Sequence, residues 1–132
     1  QHYLLRIPLW ANSRITLSET FVDTHDVQYA LNGADVLVIP RLQALNSGNV
    51  ALGCTFGRIV VGPDTGVIGG TLRATGNPVY DPYRPQTLAK ALSEATRLLQ
   101  AGKPQDNRYT AEHDLSWERV SDEHAAFYES FM

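Results

Sequence analysis

The chain has 132 residues and a formal net charge of -3, with 43% hydrophobic and 19% charged residues. This length and composition suit one globular domain that buries its own core, not a disordered segment. No long run of Lys and Arg is present, which argues against nucleic acid as the main partner. A small anionic ligand is still compatible, because backbone amides bind anions without a cationic surface.

The single cysteine, Cys54, excludes an internal disulfide and favours a reducing compartment. No apolar run approaches the roughly 20 residues of a membrane span, and the opening QHYLLRIPLW lacks a signal-peptide pattern. We therefore expect a cytoplasmic protein. Because the chain begins abruptly, without an initiating Met, we also expect residues 1–132 to be one domain of a longer protein.

Strand-like apolar patterns alternate with helix-like ones along the chain. Strands are predicted at residues 3–7, 15–17, 36–39, 59–61 and 79–80. Helices are predicted at residues 24–34, 47–56, 88–99 and 116–131. The third helix has the cleanest apolar stripe, with Pro85 near its start and Gly102 just past its end. The stretch KPQDNRYTAEH that follows it is predicted to be a polar loop.

This alternation predicts an α/β fold, a Rossmann-like open parallel sheet flanked by helices. The continuous apolar run at 36–39 is typical of a strand buried on both faces of such a sheet. Ligands bind outside the carboxyl ends of the strands in these folds, near helix N-termini. Two stretches fall at such positions, residues 40–49 and residues 62–70, and both are candidate sites.

The first candidate is the junction Asn46-Ser47-Gly48, where a helix is predicted to begin. Its backbone N–H groups and the partial positive charge of the helix N-terminus favour phosphate, and Gly48 lets a ligand approach the backbone closely. Asn or Ser could equally serve only as a helix cap. Because neither a GxGxxG nor a GxxxxGK[ST] motif is present, the pattern alone leaves the two interpretations level.

The second candidate is the loop at residues 62–70, which has four glycines in nine positions. A turn out of a strand would explain some of these residues, since Pro, Asp and Gly all favour turns. Four glycines exceed what one turn needs, so the pattern favours a loop that a ligand approaches closely. Within it, Asp64 is either a partner for a ligand hydroxyl or an ordinary turn residue.

The remaining polar and aromatic residues are weaker candidates. Cys54 is predicted to be a small buried hydrophobe without an activating neighbour, not a nucleophile. The aromatic residues around Trp117 are predicted to dock the last helix on the core rather than to stack on bases. No metal-ligand spacing connects the histidines, which are His2, His25, His113 and His124.

Several segments taken in order resemble the C-terminal half of GT-B glycosyltransferases. They are ADVLVIP, a loop with Ser-Gly, a small-residue helix ending in FGRIVVGPDTG, and GNPVYDPYRPQTLAKAL. The closing LSWERVSDEHAAFYESF is similar to the family's terminal helix, so the resemblance runs from about Thr16 to the end. It implies a Rossmann-like half of a two-domain hexosyltransferase that binds a nucleotide-sugar donor, while a missing N-terminal domain binds the acceptor.

The resemblance also implies which residues contact the donor. Asn46, Ser47 and Gly48 would hold the diphosphate. A second set would face the sugar and phosphates: Asp64, Thr65, Gly66, Gly69 and Gly70. Arg41 is a further candidate cation that matches no motif position. No metal or other cofactor is expected, because the donor is itself the substrate, and any peripheral membrane association would run through the missing half.

The chain departs from the family's pattern at two acidic positions. Aligning Gly48 on the family's loop glycine places its paired glutamates at Leu45 and Gly53, so both carboxylates are absent. The usual glutamate near the end of the second loop is missing too. Two other functions therefore stay open, a nucleotide-sugar epimerase of GT-B fold and a non-catalytic GT-B domain that acts as a scaffold or partner.

Overall fold

A computed structural model describes residues 14–16, 20–42 and 48–131. These residues form an α/β fold with a small open parallel sheet, which confirms the predicted Rossmann-like class. The strands are β1 (Val36–Val38), β2 (Ile59–Pro63) and β3 (Val79–Tyr80). The helices are α1 (Thr24–Asn32), α2 (Asn49–Thr55), α3 (Gly66–Ala74), α4 (Pro85–Gln100), α5 (Lys103–His113) and α6 (Trp117–Glu129).

The sheet has the order β1-β2-β3, and both pairings are parallel. Val36 pairs with Ile59 and Gly62 pairs with Val79, so the chain crosses over through a helix between consecutive strands. Every residue of β2 is buried, as expected of a central strand. The residues of β1 are only half-buried, because β1 is an edge strand within the described part of the chain.

Side chains of alternate strand residues point to opposite faces of the sheet, and each face has its own hydrophobic core. Val60 packs on the face that α2 and α3 cover, together with Ile39 and Leu72. Ile59 and Val61 pack on the opposite face, against the apolar stripe of α4. The stripe predicted at 88–99 is confirmed, and α4 begins at Pro85 as the sequence indicates.

Two helices occupy segments that the sequence pattern predicts as loops. The glycine-rich stretch 62–70 is a loop only at Asp64 and Thr65, because α3 begins at Gly66. The polar stretch KPQDNRYTAEH is α5, which packs against α2 and the sheet. The buried residue of α5 is Asn107, a polar side chain that apolar periodicity cannot detect.

Asn107 makes a buried amide pair with Asn77 at the amino edge of the sheet. Each side-chain amide donates to the oxygen of the other, at 2.9 and 3.0 Å. Asn77 Oδ1 also accepts from the Val60 amide at 3.0 Å, and Asn107 donates to the Arg58 carbonyl at 2.8 Å. These bonds join α5 to β2 and satisfy strand-end groups that would otherwise be buried without partners.

The last helix is where the prediction is wrong. No described residue of α6 is buried, and Trp117 is 83% exposed, so the aromatic face does not dock on the described core. At the other end of the chain, Ile15 is not in a strand, while the strand predicted at residues 3–7 lies outside the described residues.

Candidate functional site

The candidate site is the carboxyl edge of the sheet, where three parallel strands end side by side. Val38 pairs with Val61 in the last step of the ladder, and the Arg41 amide turns back to the Ile39 carbonyl at 3.0 Å, while Asp64 follows β2 directly. The Tyr80 hydroxyl, at the end of β3, donates to the Ile39 carbonyl at 2.9 Å. This bond holds the ends of the two outer strands together under the edge.

The Tyr80 hydroxyl has a structural role at this edge. Its burial raises its pKa, and the backbone N–H of Arg41 opposes that shift only in part. The hydroxyl is therefore protonated and remains a donor to Ile39 throughout the ordinary pH range. Nothing in the sequence pattern distinguishes this tyrosine from an ordinary core residue, which is why it was not predicted as a site residue.

Gly48 stands at the start of α2 with open space around it. It is exposed, its φ of -60° suits any residue, and an added Cβ would meet nothing within 4 Å. Its carbonyl accepts from the Leu52 amide at 2.9 Å, which starts the helix. Asn46 and Ser47, the other members of the predicted diphosphate turn, lie outside the described residues.

Arg41 is an exposed cation on the same edge. The ion pairs found within the described residues do not include its guanidinium. It lies in sequence between β1 and Gly48, and residues 43–47 between them lie outside the described residues.

The start of α3 is built differently from the start of α2. Thr65 is its N-cap in an extended conformation, and its Oγ1 is buried without a partner in the described residues. Gly66 has a φ of +53°, a left-handed conformation that favours glycine. The backbone conformation at the start of α3 therefore explains why one of the four glycines in the stretch 62–70 is at position 66.

Asp64 forms an ion pair with Arg73, which lies on the last turn of α3. Its backbone N–H donates to the Tyr80 carbonyl at 2.8 Å, which fixes it at the strand end. A Cβ at Gly69 would come within 2.8 Å of Asp64 Oδ1 and 2.9 Å of its backbone. Asp64 can therefore lie against the first turns of α3 only because Gly69 has no side chain.

Gly70 is separated from this arrangement. It lies on a different side of α3, where it lines an open groove of about 410 Å³ between α3 and the end of α5. The groove is also lined by Thr71, Ala74, Thr75, Thr110, Asp114 and Leu115. Of the predicted sugar-facing set, the structure thus brings Asp64, Thr65, Gly66 and Gly69 together and places Gly70 elsewhere.

The position aligned with the family's second glutamate is part of the core. Gly53 is buried, and an added Cβ would come within 2.5 Å of Val60 Cγ2 and 3.1 Å of Leu37 Cδ2. No glutamate fits there while α2 stays packed on the sheet. Close packing of helix and strand therefore accounts for the absence of this carboxylate, and Leu45 lies outside the described residues.

Within the described part of the chain, Cys54 and the histidines form no second catalytic or metal site. Cys54 is completely buried, and this burial raises its thiol pKa despite the opposing charge of Lys103, so it is the inert small hydrophobe that the sequence predicts. Across residues 14–16, 20–42 and 48–131, no three His, Cys, Asp or Glu side chains cluster as metal ligands.

Comparison of the chain with models of known protein families, with curated proteins and with solved structures gave no match. Among the described helices, none is both long enough and apolar enough to cross a membrane. The site therefore has to be interpreted from its own geometry.

Proposed function

We propose that this chain is the donor-binding domain of a GT-B glycosyltransferase, a hexosyltransferase whose acceptor is held by a further domain. The observation that supports this most is the open start of α2 at Gly48, on the carboxyl edge of a parallel sheet. Open α/β sheets bind their ligands at this edge. The order of the sequence segments that resemble the family is a second, independent support.

In this proposal Asn46, Ser47 and Gly48 bind the donor diphosphate. Backbone N–H groups and the helix dipole stabilise the negative charge that grows on the leaving nucleoside diphosphate, the role that a metal has in other enzymes. Arg41 adds a cation at the same connection. Asp64 and Thr65, across the edge, face the sugar and its phosphates.

Titration of the 132-residue chain with UDP, GDP, ADP, TDP and their sugar conjugates tests this proposal. At least one should bind the folded chain measurably by isothermal titration calorimetry. Gly48→Val should weaken that binding by about 10-fold or more, because the branched side chain blocks phosphate from the backbone donors. Since the backbone conformation suits valine and the surrounding space is open, the fold should be unaffected.

Ala89→Val is the control, because it also introduces a valine at an exposed position on the first turns of α4. Its nucleotide affinity should equal that of the unaltered chain. Failure of every nucleotide to bind a folded sample would contradict the proposal. Equal affinities of the two valine variants would move the binding site away from Gly48.

A further inference from the structure

The backbone of Arg73 lies in the last turn of α3, but its guanidinium lies at the carboxyl edge of the sheet, beside Asp64. Helical side chains lean toward the N-terminus, and residues four apart share one face. Arg73 follows Gly69 by four residues, so its side chain runs back over the glycine to reach Asp64 at the end of β2. The missing side chain at Gly69 keeps this route open.

The ion pair with Asp64 does not use all the N–H donors of the Arg73 guanidinium. Arginine carries five N–H donors in a planar fork, and this pair joins Nη1 to Oδ1. The Arg73 side chain is 57% exposed, so its remaining donors are accessible at the edge where ligands of parallel sheets bind. An exposed pair of this kind contributes little to stability, which leaves its position as the feature to explain.

We propose that Arg73 is a phosphate-binding residue of the donor site and that Asp64 is the positioning residue that holds its guanidinium at the edge. This inference rests on the proposed function, since it assigns a cation to that same site. Arg73 donates to a phosphate oxygen with the N–H groups that Asp64 leaves available. It also offsets the Asp64 carboxylate, which would otherwise repel a phosphate nearby.

Four variants of the 132-residue chain test this assignment, each titrated with inorganic pyrophosphate and with the tightest-binding nucleoside diphosphate among UDP, GDP, ADP and TDP. Arg73→Gln should raise the dissociation constants by about 10-fold or more. Asp64→Asn should raise them by a smaller factor, because Arg73 keeps its charge but loses the carboxylate that positions its guanidinium. Arg97→Gln is the matched control, because Arg97 is also an exposed arginine in an ion pair, with Glu94 on α4.

The fourth variant, Arg73→Gln combined with Asp64→Asn, separates direct binding from charge compensation. If Arg73 donates to phosphate, the double variant stays weaker than the unaltered chain. Recovery of full affinity would mean that Arg73 only neutralises Asp64, and this would overturn the assignment. Equal losses in Arg73→Gln and Asp64→Asn would also overturn it, because a purely structural pair predicts them.

The two proposals fail in different ways. If the unaltered, folded chain binds neither pyrophosphate nor any nucleoside diphosphate, the donor site is wrong and Arg73 has no such ligand. If the unaltered chain binds them and Arg73→Gln binds as tightly as Arg97→Gln, the donor site stands and only the role of Arg73 is overturned.

Discussion

The smallest feature that organises the fold is the buried pair of Asn77 and Asn107. The two side-chain amides hydrogen-bond to each other, to the Val60 N–H and to the Arg58 carbonyl. A buried polar group without a partner is costly, while a completely satisfied network is tolerated. The pair therefore fixes where α5 lies under the sheet, with a specificity that an apolar contact would lack.

We expect Asn107→Ala to lower the free energy of unfolding by about 2–3 kcal/mol, because it leaves Asn77 and the Arg58 carbonyl short of partners in a buried position. Chemical denaturation in urea measures this change. Asn32→Ala, on an exposed position of α1, is the control and should change stability by less than about 0.5 kcal/mol.

The combination of Asn77→Ala with Asn107→Ala adds a stricter measurement. Because both residues belong to one network, the double variant should cost less than the sum of the single variants. Strict additivity would contradict the interpretation of the pair as a unit.

At the scale of elements, the sequence predicts well those helices and strands that bury apolar residues in a regular pattern. The strand at residues 59–61 and the stripe of α4 follow from this pattern, because their apolar side chains pack in the two cores. The helix α5 was missed because its buried side chain is an amide. The helix α3 was missed because its glycines, which indicate a loop, are required by the entry at Gly66 and the close approach of Asp64 to Gly69.

The same reasoning explains what could be foreseen of the site. The carboxyl edge, Gly48 and Asp64 follow from where apolar runs end and polar turns begin. Arg73 could not be foreseen, since its spacing of four from Gly69 has meaning only once α3 is known to be a helix. Tyr80 requires knowledge of which strand lies across from it.

The helix α6 carries an amphipathic pattern without burying it. Its aromatic residues contact each other, with Phe127 and Phe131 ring centroids 4.9 Å apart, yet both rings are more than half exposed. Hydrophobic periodicity reports that a helix has an apolar face, but it does not report what covers that face. The contacts of α6 therefore could not be deduced from its own sequence.

Removing residues 116–132 should change the free energy of unfolding of the remaining chain by less than about 1 kcal/mol, since no described residue of α6 is buried. Removing residues 111–132 should destabilise it by more than about 2 kcal/mol, because Ala111 and Leu115 pack against the core. Urea denaturation of the two truncated chains measures the difference. A large loss in the shorter deletion would mean that α6 is docked.

At the scale of the whole molecule, stability is concentrated in β2. This strand is buried at every position and contributes side chains to both cores, so neither face of the sheet can open without disturbing it. The surrounding helices differ in how much they share in this core. On one side α4 buries Ala91 and Ala95, whereas α1 buries Leu31 and α6 buries no described residue.

This gradient predicts a corresponding order of amide hydrogen exchange. The Ile39 amide, bonded to the Val61 carbonyl at 2.8 Å, and the Val60 amide should exchange only through global unfolding. Amides of α6 should exchange through local opening at a small fraction of that free energy, because an isolated helix of 13 residues is marginal in water.

Hydrogen exchange followed by NMR gives the free energy of opening at each amide. Measurement at two pH values verifies that each amide recloses faster than it exchanges from the open state. Truncation after Leu115 should leave the values for Ile39 and Val60 unchanged, since these amides depend on the sheet and not on α6. Protection of α6 equal to that of β2 would place the helix within the same cooperative unit and contradict the concentration of stability in the central strand.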